Sequence, residues 1–93
     1  MTQNTFSIAV LPGDGIGGEV IDAGIAVLDA VTRRVGGFRL AYQHLEAGAG
    51  NFQRTGESLP DASVQAAGRA DAILLGAMGL PDVRYEDGTE ISP

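Results

Sequence analysis

The chain has no cysteine and no tryptophan, and each of its six basic residues is arginine. Without cysteine there is no disulfide, no thiolate metal ligand and no thiol nucleophile. No apolar run approaches the roughly 18–20 residues that span a bilayer. The start, Met1 to Thr5, is polar and lacks the basic stretch and long apolar segment of a secretory signal. Together these absences lead to the expectation of a cytoplasmic protein with no membrane partner. Twelve acidic residues against six arginines leave a net charge of −6, the wrong sign for a nucleic-acid surface. At 93 residues, 44% hydrophobic and 19% charged, the chain fits one small globular unit. A chain this short buries only about 60–65% of its unfolded surface, so its core is marginal.

What is present alternates between strand and helix signals. Phe6 to Leu11 ("FSIAVL") is short, apolar and β-branched, as a buried strand is, and Pro12 is expected to stop it. Glu19 to Val35 follows with Val20, Gly24, Val27, Leu28, Val31 and Val35 at helical spacing. Glu19 and Asp22 near its start and Arg33 and Arg34 near its end suit the helix dipole. Asp29 and Arg33 are spaced to pair, and Gly36 and Gly37 supply a C-cap. Phe38 to Leu45 reads as a second strand, and "EAGAGNFQRTGES" as a long glycine-containing loop. Ser58, Pro60 and Asp61 resemble a capping box opening a short helix that ends near Gly68. Ala72 to Gly76 reads as a third buried strand, and the remainder is turn-rich without periodicity. The order β-α-β-α-β implies an α/β fold with a mainly parallel sheet. Such a sheet needs cover on both faces, which a chain of this length does not supply. The expectation is a part of a longer protein.

Gly13, Gly15 and Gly18 spell G-x-G-x-x-G between the first strand and the first helix. A dinucleotide-binding turn uses that pattern to bring backbone amides and a helix N-terminus up to a pyrophosphate. Glu46, at the end of the second strand, would then bind the ribose. Two residues oppose this reading. The carboxylate of Asp14 would repel the phosphate, and Pro12 removes an amide. Glu46 also lies 28 residues beyond Gly18, against about 20 expected. Asp14 is better suited to fixing a turn through side-chain-to-backbone hydrogen bonds.

A longer pattern covers the same residues. "IAVLPGDGIGGEV" (Ile8 to Val20), "ADAILLGAMGLPD" (Ala70 to Asp82) and "DGTEISP" (Asp87 to Pro93) closely resemble the isocitrate and isopropylmalate dehydrogenase family. These are the metal-dependent β-decarboxylating dehydrogenases, and the likeness, closest to isopropylmalate- and tartrate-dehydrogenase-like members, covers essentially the whole chain. Gly18 departs from the pattern, where proline is usual, and Leu80 stands where isopropylmalate members carry a second glycine.

The resemblance implies a three-layer α/β fold distinct from the Rossmann arrangement, with residues 1–93 forming the N-terminal part of the large domain. It implies oxidative decarboxylation of a 2-hydroxy acid of 3-isopropylmalate, isocitrate or tartrate/malate type. NAD or NADP takes the hydride, and Mg2+ or Mn2+ stabilises the enolate. It also implies a homodimer. Carried over residue by residue, Ile16 would make an apolar contact with the nucleotide. Gly79, Leu80, Pro81, Glu90 and Ile91 would border the nicotinamide ribose, with Glu90 contacting it, and Ser92 would meet the substrate's variable group. The competing reading of each is plain packing or an exposed loop residue. The family's substrate arginines, catalytic tyrosine and lysine, and metal-binding aspartates match no position here, so the chain alone is expected to be inactive. His44 suits a packed or edge position on its strand, and Arg84 a solvated loop. Two other classes stay open: a Rossmann domain of another oxidoreductase, and a non-catalytic α/β module associating through its sheet edge.

Overall fold

The computed structural model describes residues 4–91. Along the chain run β1 (Asn4–Gly13), α1 (Gly17–Val35), β2 (Phe38–His44), α2 (Ala49–Thr55), α3 (Asp61–Arg69) and β3 (Ala72–Ala77). The three strands form one sheet in the order β2-β1-β3 with both pairings parallel, as the alternating signals predict. β1 lies at the centre: Ile8 is opposite Tyr42 on one side and Ala72 on the other.

Side chains of a strand alternate between faces, and β1 uses both. Ile8 and Val10 pack with Ile21 of α1, flanked by Ile25, Leu40, Tyr42 and Leu74. Ala9 and Leu11 face the other way, against Ala47, Ala67 of α3 and Met78. The helices thus cover opposite faces, which explains why β1 reads as a continuous apolar run.

Four expectations are corrected. First, Pro12 does not end β1. Val10 C=O accepts a hydrogen bond from Leu45 N–H (2.7 Å), so β1 directs its even-numbered backbone groups toward β2. Pairing with β2 stops at Val10–His44, while pairing with β3 continues to Gly13–Ala77. The missing N–H of Pro12 therefore faces the side where the ladder has already ended.

Second, the buried stripe of α1 keeps Gly24 and Leu28 from the expected set but not its four valines. Ile21 is buried and Gly24, Ile25, Leu28 and Thr32 are half-buried. Val20, Val27, Val31 and Val35 are exposed. The helix carries two apolar stripes, and periodicity alone cannot choose between them. Asp29 turns toward the Tyr42 hydroxyl, which donates to it at 3.3 Å, rather than toward Arg33.

Third, the glycine-containing loop holds α2, capped by Gly56 in the left-handed region (φ 85°). Fourth, Pro60 rather than Ser58 caps α3, without a side-chain bond. The Ser58 carbonyl instead accepts the Gly48 N–H (2.7 Å).

After β3, residues 78–91 pack back onto α2. Val83 and Ile91 pack on Ala49 with Phe52 and Leu80 alongside, forming a third small core. Tyr85 meets Phe52 edge-on with ring centres 5.3 Å apart. Arg84 and Glu90 form an antiparallel bridge around an Asp87-Gly88 turn, a common hairpin signal.

Candidate functional site

In an open parallel sheet, ligands bind beyond the carboxyl ends of the strands, where the strand order reverses. Here the chain passes from β1 outward to β2 and then returns to place β3 on the opposite side. The reversal lies between β1 and β3. The turn after β1 and the loop after β3 stand at that point.

The glycines of this turn serve close packing. A Cβ on Gly13 would lie 2.0 Å from the Ala77 carbonyl oxygen, and one on Gly17 would lie 1.9 Å from that of Pro12. The turn therefore seats directly on the end of β3. Asp14 N–H donates to Ala77 C=O (2.7 Å), and Gly17 N–H to Asp14 C=O (2.8 Å). At Gly18, by contrast, an added Cβ would meet no heavy atom within 4 Å, and φ lies outside the left-handed region. In the dinucleotide fingerprint the third glycine allows close helix–strand packing. Gly17 occupies that role here, so the literal G-x-G-x-x-G spacing is coincidental.

Asp14 is buried, and its carboxylate accepts three backbone hydrogen bonds. Ala49 N–H (2.7 Å) and Gly79 N–H (2.8 Å) reach Oδ2, and Gly50 N–H (2.8 Å) reaches Oδ1. Desolvation alone pushes its pKa up. The amides of Gly50, Gly79 and Ala49, with the charge of Arg54, outweigh it and hold the carboxyl below its ordinary value. The sequence places Asp14 as a turn-fixing residue. The structure shows it reaching beyond its own turn to two other segments. A Cβ on Gly48, which sits at φ +116°, would fall 2.6 Å from this carboxylate. That glycine is required by the approach.

The residues carried over from the family fall around this point. Ile16 is 65% exposed at the mouth of the turn. Gly79 is half-buried at φ +107°, with its N–H on Asp14. Leu80 is half-buried beside Gly50, and Pro81 is exposed. Glu90 is exposed on the hairpin, whereas Ile91 is buried with Ala49 and Val83 and serves the packing of the loop. Ser92 lies outside the described residues. Arg84 braces the hairpin, donating to Pro81 C=O (3.0 Å) and Gly88 C=O (3.1 Å). His44 is exposed on the edge strand β2.

Beside the turn, at the ends of β1 and β2, a polar pocket of about 210 Å³ is lined by Pro12, Asp14, His44, Glu46, Asn51 and Arg54. Glu46 pairs with Arg54 at 3.2 Å, both exposed. That pair engages the carboxylate a dinucleotide-binding domain would offer to the ribose. Among the described residues, no group of three or more His, Asp or Glu side chains converges as a metal site. The described residues thus form no metal site among themselves, and none is assigned to one. Sequence reasoning missed α2 and its amides at Ala49 and Gly50. The signal available was Gly48 and Gly50 flanking Ala49, read only as loop glycines.

The profile of the isocitrate/isopropylmalate dehydrogenase family matches residues 7–92. The chain is 48% identical over 83 residues to the 3-isopropylmalate dehydrogenase of Thermobifida fusca, which is 89% of this chain and 23% of that protein. It is 43% identical over 81 residues to the 3-isopropylmalate dehydrogenase of Escherichia coli K12, covering 87% of this chain and 22% of the relative. The crystal structure of a β-decarboxylating dehydrogenase from Thermococcus kodakarensis, in its apo form, superimposes with a TM-score of 0.64 at 40% identity. That likeness covers 83% of this chain and 22% of the neighbour. The chain thus spans less than a quarter of the length of the relatives it matches.

Proposed function

Since the chain belongs to the isocitrate/isopropylmalate dehydrogenase family, we propose that it forms one wall of the cofactor cleft in an NAD(P)- and metal-dependent decarboxylating dehydrogenase. The substrate is a 2-hydroxy acid of the 3-isopropylmalate type, the activity named for the relatives above. The observation that carries this reading is the meeting of the turn after β1 with the loop after β3 at the reversal of strand order.

The dinucleotide, when bound, supplies the hydride acceptor. This chain's residues bind and orient it. Ile16, apolar and exposed at the cleft mouth, offers a contact surface to the nucleotide. Gly79, Leu80 and Pro81 bring backbone close to the nicotinamide ribose, and Glu90 on the braced hairpin accepts hydrogen bonds from its hydroxyls. Ile91 holds the hairpin from beneath. Ser92 is assigned to the variable part of the substrate. Magnesium or manganese is held by residues that match nothing in this chain, as are the groups that move protons. The chain alone therefore turns over no substrate. In the assembled enzyme we place it in a cytoplasmic homodimer. The exposed valines of α1 and the free edge of β3 are where the remaining layers of the family fold pack.

A chimera tests this directly. The chain replaces the matching segment of the Thermobifida fusca 3-isopropylmalate dehydrogenase, and NAD reduction is followed with 3-isopropylmalate and Mg2+. Turnover comparable to the parent is expected. A folded chimera without turnover, or one indifferent to Glu90→Ala but impaired by Glu46→Ala, would overturn the reading.

A further inference from the structure

Three segments distant in sequence end on one carboxylate. The turn 12–17 carries Asp14, α2 presents the Ala49 and Gly50 amides, and the loop after β3 presents the Gly79 amide. α2 and the segment 80–91 already form one packed body through Ala49, Val83 and Ile91. Its hydrogen-bonded link to the end of β1 runs through Asp14. The link is specific in geometry. Both oxygens are used, and Asp14 is 7% exposed. Gly48 leaves it room that any side chain would close, while a Cβ at Gly50 would crowd it at 3.1 Å. The charge of Arg54 favours the carboxylate, and Glu46 and His44 line the same pocket.

We infer that Asp14 is a positioning residue for the cofactor cleft: it fixes the 79–91 loop against the Ile16 turn, so that the two segments of this wall of the cleft hold one spacing. This role rests on the cleft reading above. It replaces the phosphate-repelling part that a dinucleotide fingerprint would give an aspartate at this place. The anion here is a ligand for the protein's own amides. The carboxylate engages the amides of Ala49, Gly50 and Gly79, and Ile16 stays exposed two residues on.

Amide hydrogen exchange by NMR on the 93-residue chain, without nucleotide, tests the tether. In the wild type, Ala49, Gly50 and Gly79 should exchange through one shared opening, with protection equal within about threefold. Clearly separate openings would overturn the proposal, even if no variant folds. In Asp14→Asn these three amides should lose about tenfold or more of their protection while Val10 and Leu74 keep theirs. Unchanged protection, or an equal loss throughout the sheet, would overturn it. In the chimera, Asp14→Asn should raise KM for NAD+ more than it lowers kcat. An unchanged KM with less active enzyme would assign Asp14 a merely structural role. The outcomes separate the two readings: a tether that holds in a chain whose chimera is inactive refutes the cofactor cleft alone.

Discussion

Gly17→Ala and Gly18→Ala are adjacent, chemically identical changes with opposite expected effects. A Cβ at position 17 would stand 1.9 Å from the Pro12 carbonyl oxygen and 3.1 Å from that of Ala77. Ordinary contact needs roughly 1.5 Å more than the shorter distance, and close-packed backbone has no slack to supply it. Overpacking alone costs about 1–3 kcal/mol. The shift also strains the Asp14-to-Ala77 hydrogen bond, worth about 1 kcal/mol. The sum is about 2–4 kcal/mol, a large part of the stability of a chain this size. At position 18 an added methyl meets nothing within 4 Å. Removing glycine's excess unfolded-state freedom there gains up to about 1 kcal/mol. Thermal unfolding followed by circular dichroism reads both. Each kcal/mol moves Tm by about 4–8 °C in a domain of this length. Gly17→Ala should lose roughly 15 °C or fail to fold, while Gly18→Ala should hold or gain a few degrees. Equal losses, or a greater loss at position 18, would show that the third glycine of the fingerprint is the packing residue, and would refute the assignment to Gly17.

Acid unfolding reports on Asp14. Its folded-state pKa lies below its ordinary value of 3.8, so its contribution is present above that value and is lost as pH falls through the lowered one. Asp14→Asn should be less stable than wild type at neutral pH, and the gap should narrow below pH 3.8; a constant gap would contradict the tether. On α1, Ile21→Ala should cost about 2–4 kcal/mol in urea unfolding, since the side chain is 2% exposed. Val27→Ser, at a position 63% exposed, should stay within about 1 kcal/mol of wild type, and the reverse order would restore the valine stripe as the buried face.

The sheet was legible because β1 and β3 each carry a compact apolar run, β2 alternates loosely, and a single long helix must cross between the first two. The exposure of β3 at Ile73 and Leu75, where a buried strand is expected, was not. The choice of face on α1 was not legible. Ile21 and Ile25 recur at the same spacing as the valines beside them, and only docking on Ile8 and Val10 decides between the stripes. α2 was hidden for a different reason. Seven residues with glycines at 48 and 50 give no periodic signal, and its placement comes from Asp14, distant in the chain. The hairpin after β3 likewise depends on long-range contacts, Phe52 with Tyr85 and Ala49 with Ile91. At the site, the PGDGIG motif located the turn. The partners of its aspartate could be found only in three dimensions.

The central claim is that the turn after β1 and the loop after β3 together form one wall of a nucleotide cleft, joined through Asp14. Titration of the isotopically labelled chain with NAD+, read amide by amide, tests it most directly. The account predicts chemical-shift changes centred on Ile16, Gly79, Leu80 and Glu90, with Glu46 and Gly18 unmoved. Changes centred on Gly13, Gly15, Gly18 and Glu46 would contradict it and restore a phosphate-cradling turn.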